Sequence, residues 1–463
     1  MLYWEVKLIT TGHSDQDNSA GLTTHAVLRF WLPLAASWLL MATEKIAVNA
    51  VIARTAEAKL QLAALGIAFS LALAVESPII SLLTTSNALA RDRESFRLLH
   101  RFMLGLNATL IVVMLLLGFT PLFDLVVVRF IGTPAEVAVK VRPVVWAMTL
   151  WPAAIGFRRF YQGVMIRYGY TRQISYGTAV RFLTAAGVAL AGLAWGKLDG
   201  ATLGGLALCA SAIAESAFVA YVSWPAVQKV KRTGVPAQTT PLTLRDLLRF
   251  YTPLTLTSAI SLSTAPLINF GLARSPYPIE SLAVWPVVDG QLFVVRSFGL
   301  SLQEVVVALL NSQAALKTLR RLATMLGLGS LALLLSIAFT PLAPWWQHSI
   351  AGLDGELTGF AVAALQLAAL LPLLSVILNM LRGIVIAGRA TGFIAQATVV
   401  NLAALGTVLL TGAKLGLLPG ASLAAVAMTL SQLAESAWLW HTSRPMQQRL
   451  WEQVQIKALP SRK

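Results

Sequence analysis

Arg29-Phe30-Trp31-Leu32-Pro33-Leu34 and Arg249-Phe250-Tyr251-Thr252-Pro253-Leu254 stand 220 residues apart and read almost alike. Laid over residues 241–440 at that fixed offset, without a gap, residues 21–220 give 50 identities in 200 positions. Asn49 falls on Asn269, Ala53-Arg54 on Ala273-Arg274, and Phe119-Thr120-Pro121-Leu122 on Phe339-Thr340-Pro341-Leu342. Ala214-Glu215-Ser216-Ala217 falls on Ala434-Glu435-Ser436-Ala437. A Leu- and Ala-rich chain matches itself by chance at on the order of a tenth of positions, so this is a duplication and each half is one folding unit.

Composition places that unit in a bilayer. The chain is 57% hydrophobic, with mean hydropathy +0.71 and 12% charged residues, whereas a soluble domain carries about 25% charge. Apolar stretches long enough to span, about 20 residues each, lie near 27–52, 62–86, 102–123, 136–157, 174–195 and 201–223 in the first half. In the second they lie near 250–273, 281–308, 322–344, 357–380, 393–412 and 420–440. A half that recurs in the same orientation must hold an even number of spans, and six satisfies this. The expected fold is an all-α integral membrane protein of twelve helices in two six-helix lobes, related by a parallel repeat whose axis lies along the membrane normal. The expected organisation is an N-terminal tail over 1–24, an N-lobe over 25–224, a basic linker over 225–247, a C-lobe over 248–441 and a C-terminal tail over 442–463.

Charge gives the expected orientation. The net charge is +16, and the basic residues gather on alternate loops. Arg91, Arg93, Arg97 and Arg101 follow helix 2, and Arg158, Arg159, Arg167 and Arg172 are read between helices 4 and 5. Lys229, Lys231, Arg232, Arg245 and Arg249 lie between the halves, Lys317, Arg320 and Arg321 follow helix 8, and Arg382 and Arg389 are read after helix 10. The opposite loops hold only Arg54, Lys59, Arg129, Lys197, Arg274 and Lys414. The positive-inside rule then puts both termini in the cytoplasm. Residues 1–24 lack a continuous apolar core and read as a cytosolic tail rather than a cleaved signal peptide.

Several function classes drop out. A nucleic-acid role needs a soluble basic domain with aromatic platforms, which the sequence lacks. One cysteine, Cys209, and five scattered histidines give no disulfide, thiolate centre or metal cluster. No Walker A, HExxH, GxSxG or kinase pattern occurs, so the chain is not expected to be an enzyme, to carry a catalytic residue or to need a cofactor.

What remains is the set of ionisable residues inside the spans, each costing at least a few kcal/mol unless it faces a cavity or a partner. Lys45 and Asn49 are four apart and share a helix face, while Glu44 and Lys45 point about 100° apart. Asp289 and Arg296 are seven apart, about 10 Å along one face of helix 8, a spacing able to bracket a ligand. Glu76 occupies the place in the first half that Arg296 occupies in the second, which suggests an ion pair between the lobes or a static structural pair. Glu215 and Glu435 belong to a repeated Ser-x-x-x-Glu-Ser pattern and read as lobe-packing charges. Arg181, aligned with Asn401, anchors a carboxylate such as Glu215 or binds an anion. Pro33, Pro78, Pro152, Pro253, Pro266, Pro286 and Pro372 mark kinks, and those in helices 1 and 7 are the expected gate positions.

The order and spacing of several features resemble the multidrug/oligosaccharidyl-lipid/polysaccharide exporter superfamily, which includes the MATE transporters. They are Glu44 in helix 1, the Arg91-Asp92-Arg93 loop, Pro266-x-x-Asn269, Trp285-Pro286-Val287, and Gly420-Ala421-Ser422-Leu423 leading to Glu435-Ser436. Within it the chain looks most like the progressive ankylosis transporter family. That resemblance implies alternating-access export of small polyanions such as pyrophosphate, citrate or nucleotides. It departs at helix 7, where the family's basic residue has no counterpart near Ala265 and Lys45 stands at the symmetric position. The sequence therefore nominates Lys45, Asn49, Asn269, Asp289 and Arg296 for substrate, and Glu44, Glu76 and Arg181 for gating or coupling to a proton or sodium. The expected partners are a small molecule and the lipid of a bacterial-type plasma membrane, for a monomer. Three alternatives stay open: a MATE-type exporter of organic cations, a flippase of lipid-linked sugars, and a major-facilitator transporter, whose loop after helix 2 is half matched by Ala88-Leu89-Ala90-Arg91-Asp92-Arg93.

Overall fold

The structure, a computed structural model, describes residues 24–170, 172–233, 242–310, 313–388, 390 and 392–458. The expected N-terminal tail up to residue 23, the middle of the expected linker, Arg389 and residues 459–463 lie outside the described residues.

Twelve helical segments cross in succession. The first six are α1 (Thr24–Ile52), α2 (Ala58–Leu89), α3 (Arg93–Phe119), α4 (Ala135–Ala147 continued by Trp151–Arg167), α5 (Arg172–Trp195) and α6 (Gly200–Val222). The second six are α7 (Leu244–Leu262 continued by Thr264–Leu272), α8 (Pro278–Leu309), α9 (Gln313–Ala338), α10 (Gly355–Leu367 continued by Leu371–Ala387), α11 (Gly392–Leu415) and α12 (Gly420–Ala458). Among the described residues eight helices are long and apolar enough to span by themselves, and α10, bent by 43°, makes nine. The remaining three, α4, α7 and α12, carry breaks or a share of polar residues, as in the Ser- and Thr-rich 257–264 stretch of α7.

Proline sets most of the breaks, because its ring removes one backbone hydrogen bond and fits best in the first turn of a helix. Pro152 and Pro372, equivalent under the repeat, each sit in the first turn of the second segment of α4 and α10. Pro78 lies in the 3-10 turn Ser77–Ser81 that tightens α2 after Glu76. α7 is interrupted at Ser263, three residues before Pro266. α1 runs as one continuous helix through Pro33, so of the two helices expected to kink the seventh alone is interrupted. Helices 4, 10 and 12 also run past their expected ends at residues 157, 380 and 440, to Arg167, Ala387 and Ala458.

The lobes meet along α1, α2, α7 and α8, with α8 packed on both α1 and α2. Where they touch, residues equivalent under the repeat face each other. A Cβ added to Gly66 would lie 2.5 Å from Pro286 Cγ, and 66 plus 220 is 286, so the two positions abut on the pseudo-twofold axis. Around that contact Asn49 donates to the Pro286 carbonyl at 2.9 Å, and Asn269 donates to Ser70 Oγ at 2.7 Å and to the Gly66 carbonyl at 3.4 Å.

The same symmetry closes one face of the bundle, opposite the face carrying the α2–α3, α4–α5 and α10–α11 loops. Arg54 donates to the carbonyls of Ser349 and Ile350, at 2.9 and 3.1 Å, at the end of the π-helical turn Trp346–Ile350. Its equivalent, Arg274, donates to the carbonyls of Phe130, at 2.8 Å, and Ile131, at the end of the π-helical turn Asp124–Ile131. Each arginine closes over a glycine of the opposite lobe in the left-handed region, Gly352 (φ +78°) or Gly132 (φ +81°). A side chain there meets a strained backbone and the guanidinium together. Lys59 adds an ion pair between the lobes to Glu280 and, at 3.6 Å, to Glu356.

Removing both latches in Arg54→Ala/Arg274→Ala should separate the lobes on this face. Spin labels at Ala56→Cys and Gly359→Cys, in a Cys209→Ser background, should gain a longer-distance population in double electron–electron resonance. Charge-assisted bonds to carbonyls are worth about 1.5–3 kcal/mol before discounting for exposure, enough for a several-fold shift.

Candidate functional site

Between the lobes lies a cavity of about 1110 Å³. Its rim includes Ile386 and Gly392, at the ends of α10 and α11 on the face away from the latches, and Pro253, inside the first segment of α7, and its floor includes Asn49, Gly66, Asn269 and Pro286. The floor is thus the axial contact described above.

Most of the wall is apolar, and its charge is concentrated on the N-lobe. Glu44, Lys45, Glu76, Arg158, Arg159 and Arg181 line it, joined from the C-lobe by Asp289. An ion held away from water is tolerated when it is paired and hydrogen-bonded, and the pairing here is nearly complete. Glu44, on α1, receives Arg181 Nε at 2.7 Å and Ser211 Oγ at 2.8 Å. Glu215, fully buried on α6, takes both oxygens' worth of Arg158 Nη1, at 3.0 and 2.8 Å, with Arg181 Nη1 at 3.7 Å. Lys45 crosses the interface to pair with Asp289 and lies 5.5 Å from the centre of the Phe69 ring.

Two groups stay outside this pairing. Glu76 accepts Trp151 Nε1 at 2.7 Å, and among the described residues no cation lies within 4 Å of it. Arg159 has no carboxylate within 4 Å among the described residues, and its buried Nε has no hydrogen-bond partner. The cavity thus presents a guanidinium with an unbonded Nε and a carboxylate with one neutral donor, which attract each other across more than 4 Å without a direct bond, in a mostly apolar wall that includes Phe69 and Trp151.

The C-lobe repeats the inner pair. Glu435 receives Arg382 of α10 and lies beside Asn401, just as Glu215 receives Arg158 of α4 and lies beside Arg181. The arginine comes from one turn further along in the second lobe, since Arg158 aligns with Leu378 and Gln162 with Arg382.

Seven of the nominated residues line the cavity: Glu44, Lys45, Asn49, Glu76, Arg181, Asn269 and Asp289. Arg296 does not. It turns to α10, where its Nε donates to Ser375 Oγ at 2.9 Å, away from the residues lining the cavity. Nor does Glu76 pair with Arg296, since each bonds within its own lobe. The sequence reading also missed Arg158, Arg159 and Arg382, placing them in loops. The overlooked signal was Pro152 or Pro372 starting a fresh helical segment, which carries each helix another three to four turns. A buried glutamate repeated in both lobes was the second signal, because it required a cation within reach.

With the geometry in place, solved structures supply the comparison. No family model and no curated protein matches the chain. The chain aligns over 90% of its length, and 96% of the other, with an inward-facing multidrug resistance MATE family transporter of the MOP superfamily, at TM-score 0.71 and 14% identity. An outward-facing structure described in the same words gives TM-score 0.64 at 15% identity over 92% and 96% of the two chains. The lipid II flippase MurJ, in an inward closed conformation, gives 0.66 at 12% identity over 89% and 87%. The fold is that of the MATE transporters.

The buried pair generates a stability test. Arg158→Ala leaves Glu215 only the longer 3.7 Å contact to Arg181 and should cost up to roughly 3–5 kcal/mol, read as a large fall in thermal unfolding temperature in detergent. Arg158→Met combined with Glu215→Leu should recover most of that loss, and a fall equal to the sum of the single losses would contradict the pairing.

Proposed function

We propose that the chain is an alternating-access secondary transporter of a bacterial-type plasma membrane, with both termini cytoplasmic, that exports small polyanions. The observation carrying the anion reading is Arg159: a cavity-lining guanidinium with a buried, unpartnered Nε and no carboxylate within 4 Å among the described residues. Guanidinium groups present a planar fork that fits carboxylate and phosphate oxygens. The volume, at the upper end of ligand sites, has room for a nucleotide as well as citrate or pyrophosphate. The finer likeness to the progressive ankylosis family rests on the residues quoted for it and on this excess of cavity arginines.

The charges suggest how binding is coupled. On the wall Lys45, Arg158, Arg159 and Arg181 face Glu44, Glu76 and Asp289, and Glu215, buried behind the wall on Arg158, brings the cluster to four against four, so an entering anion meets a cluster that is neutral as a whole. Protonation of Glu76, the carboxylate without a cation partner, leaves one net positive charge beside Arg159. Proton and anion then favour each other's binding by the same factor. Asn49 and Asn269, nominated for substrate, serve in this account as the floor of the gate, and Lys45–Asp289 as the ion pair between lobes that breaks when the face away from the latches closes. The cation-exporter reading keeps one supporting observation, the three carboxylates Glu44, Glu76 and Asp289 on the wall.

Proteoliposome flux of labelled citrate, pyrophosphate and ATP beside a cationic dye tests the proposal. Arg159→Ala should lower anion flux by roughly tenfold or more, the worth of one charge-assisted hydrogen bond, with unfolding temperature little changed. Dye flux without anion flux would replace this reading with the cation exporter. Anion uptake should rise as pH falls through the titration of Glu76, because its protonated form adds the net positive charge, and Glu76→Gln should hold uptake at the low-pH level throughout. Unaltered pH dependence in Glu76→Gln would remove Glu76 from coupling.

A further inference from the structure

A second cavity, of about 720 Å³, lies outside the transport path on the face away from the latches. Arg93, Arg97 and Arg101 form one stripe of α3, and Lys231 comes from the short helix Trp224–Arg232 that follows α6. All four are exposed, and among the described residues none has a carboxylate within 4 Å. No acidic residue lines the cleft.

This arrangement is costly as it stands. Arginines at i, i+4 and i+8 repel one another along a helix face by a few tenths of a kcal/mol per pair, and Lys231 adds a fourth like charge. An anion between them adds an attraction to each of the four cations, which offsets their mutual repulsion. The floor is aromatic, with buried Phe96 under Lys231 Nζ at 5.9 Å and Tyr161 and His100 beside it. Exposed Trp224 forms one wall, and exposed Tyr221 lies one turn before it. Such aromatics mark the level of lipid headgroups, and at 1.5 Å per residue the arginine stripe runs about 12 Å through that level.

We propose that this cleft is a binding site for a phosphate-bearing anion, presented as the headgroup of an acidic phospholipid or free in solution. Three guanidinium forks and an ammonium hold phosphate oxygens while the aromatic floor covers the glycerol or acyl side. The site is independent of the transport reading, because none of its residues lines the central cavity.

Native mass spectrometry of the full chain in a neutral detergent tests it, with dioleoyl phosphatidylglycerol or dioleoyl phosphatidylcholine added. The wild type should retain phosphatidylglycerol selectively, and Arg97→Gln/Arg101→Gln should need roughly tenfold more lipid for equal occupancy. Arg97→Lys/Arg101→Lys should keep most of the binding, and Lys231→Gln gives an independent arm should the double variant unfold. Inorganic pyrophosphate that displaces the lipid identifies a site open to free phosphates; pyrophosphate that fails to displace retained lipid assigns it to the headgroup. Equal retention of the two lipids, or equal retention by wild type and the Gln variants, overturns the proposal.

Discussion

A charge at the depth of the hydrocarbon layer must meet its opposite or face a cavity, because lipid cannot solvate it. That constraint organises the interior of this protein. Glu215 and Glu435 each sit deep in a lobe and each fixes an arginine of the neighbouring broken helix. The pairs tie α4 to α6 and α10 to α12, and so hold the second segments of the broken helices against the lobe. In the N-lobe the pairing extends through Arg181 to Glu44 on α1, so a helix at the interface between lobes is coupled to the buried anchor.

The duplication divides labour by what it kept and what it changed. Elements that kept their symmetry lie at the closed end: Gly66 against Pro286, Asn49 with Asn269, and Arg54 with Arg274 on the carbonyls ending two π-helical turns. Symmetric contacts around one axis form and break together, which suits a gate between two rigid lobes. Elements that lost symmetry line the cavity. Lys45 faces Ala265 under the repeat, Glu76 faces Arg296, Arg159 faces Asn379 and Arg181 faces Asn401. Recognition of a small ligand has no need of twofold symmetry, and the cavity charge accordingly sits on the N-lobe apart from Asp289.

The sequence made the architecture legible because two coarse signals agree: the 220-residue repeat demands an even number of helices per half, and the spacing of apolar runs gives six. It also isolated Glu215 and Glu435, since identical buried acids in two divergent copies stand out. The arginines opposite them were hidden by the rule that oriented the chain. Counting basic residues as loop markers sends Arg158, Arg159 and Arg382 to the loops whenever a span is ended at 20 residues, and broken helices are longer. Arg296 shows the reverse difficulty: seven residues from Asp289 fixes a shared face of α8, but not which neighbour that face meets at each depth. Near its middle α8 meets α1 and the cavity, and one to two turns later it meets Ser375 of α10.

The central claim is that an unpaired guanidinium makes this cavity select anions. Isothermal titration calorimetry on the purified wild type, with citrate, pyrophosphate and tetraphenylphosphonium as ligands at two pH values, addresses it without a transport assay. The account predicts saturable binding of the anions, tighter at the lower pH with net proton uptake, and no saturable binding of the phosphonium. Saturable phosphonium binding that releases protons, with the anions inert, would contradict it.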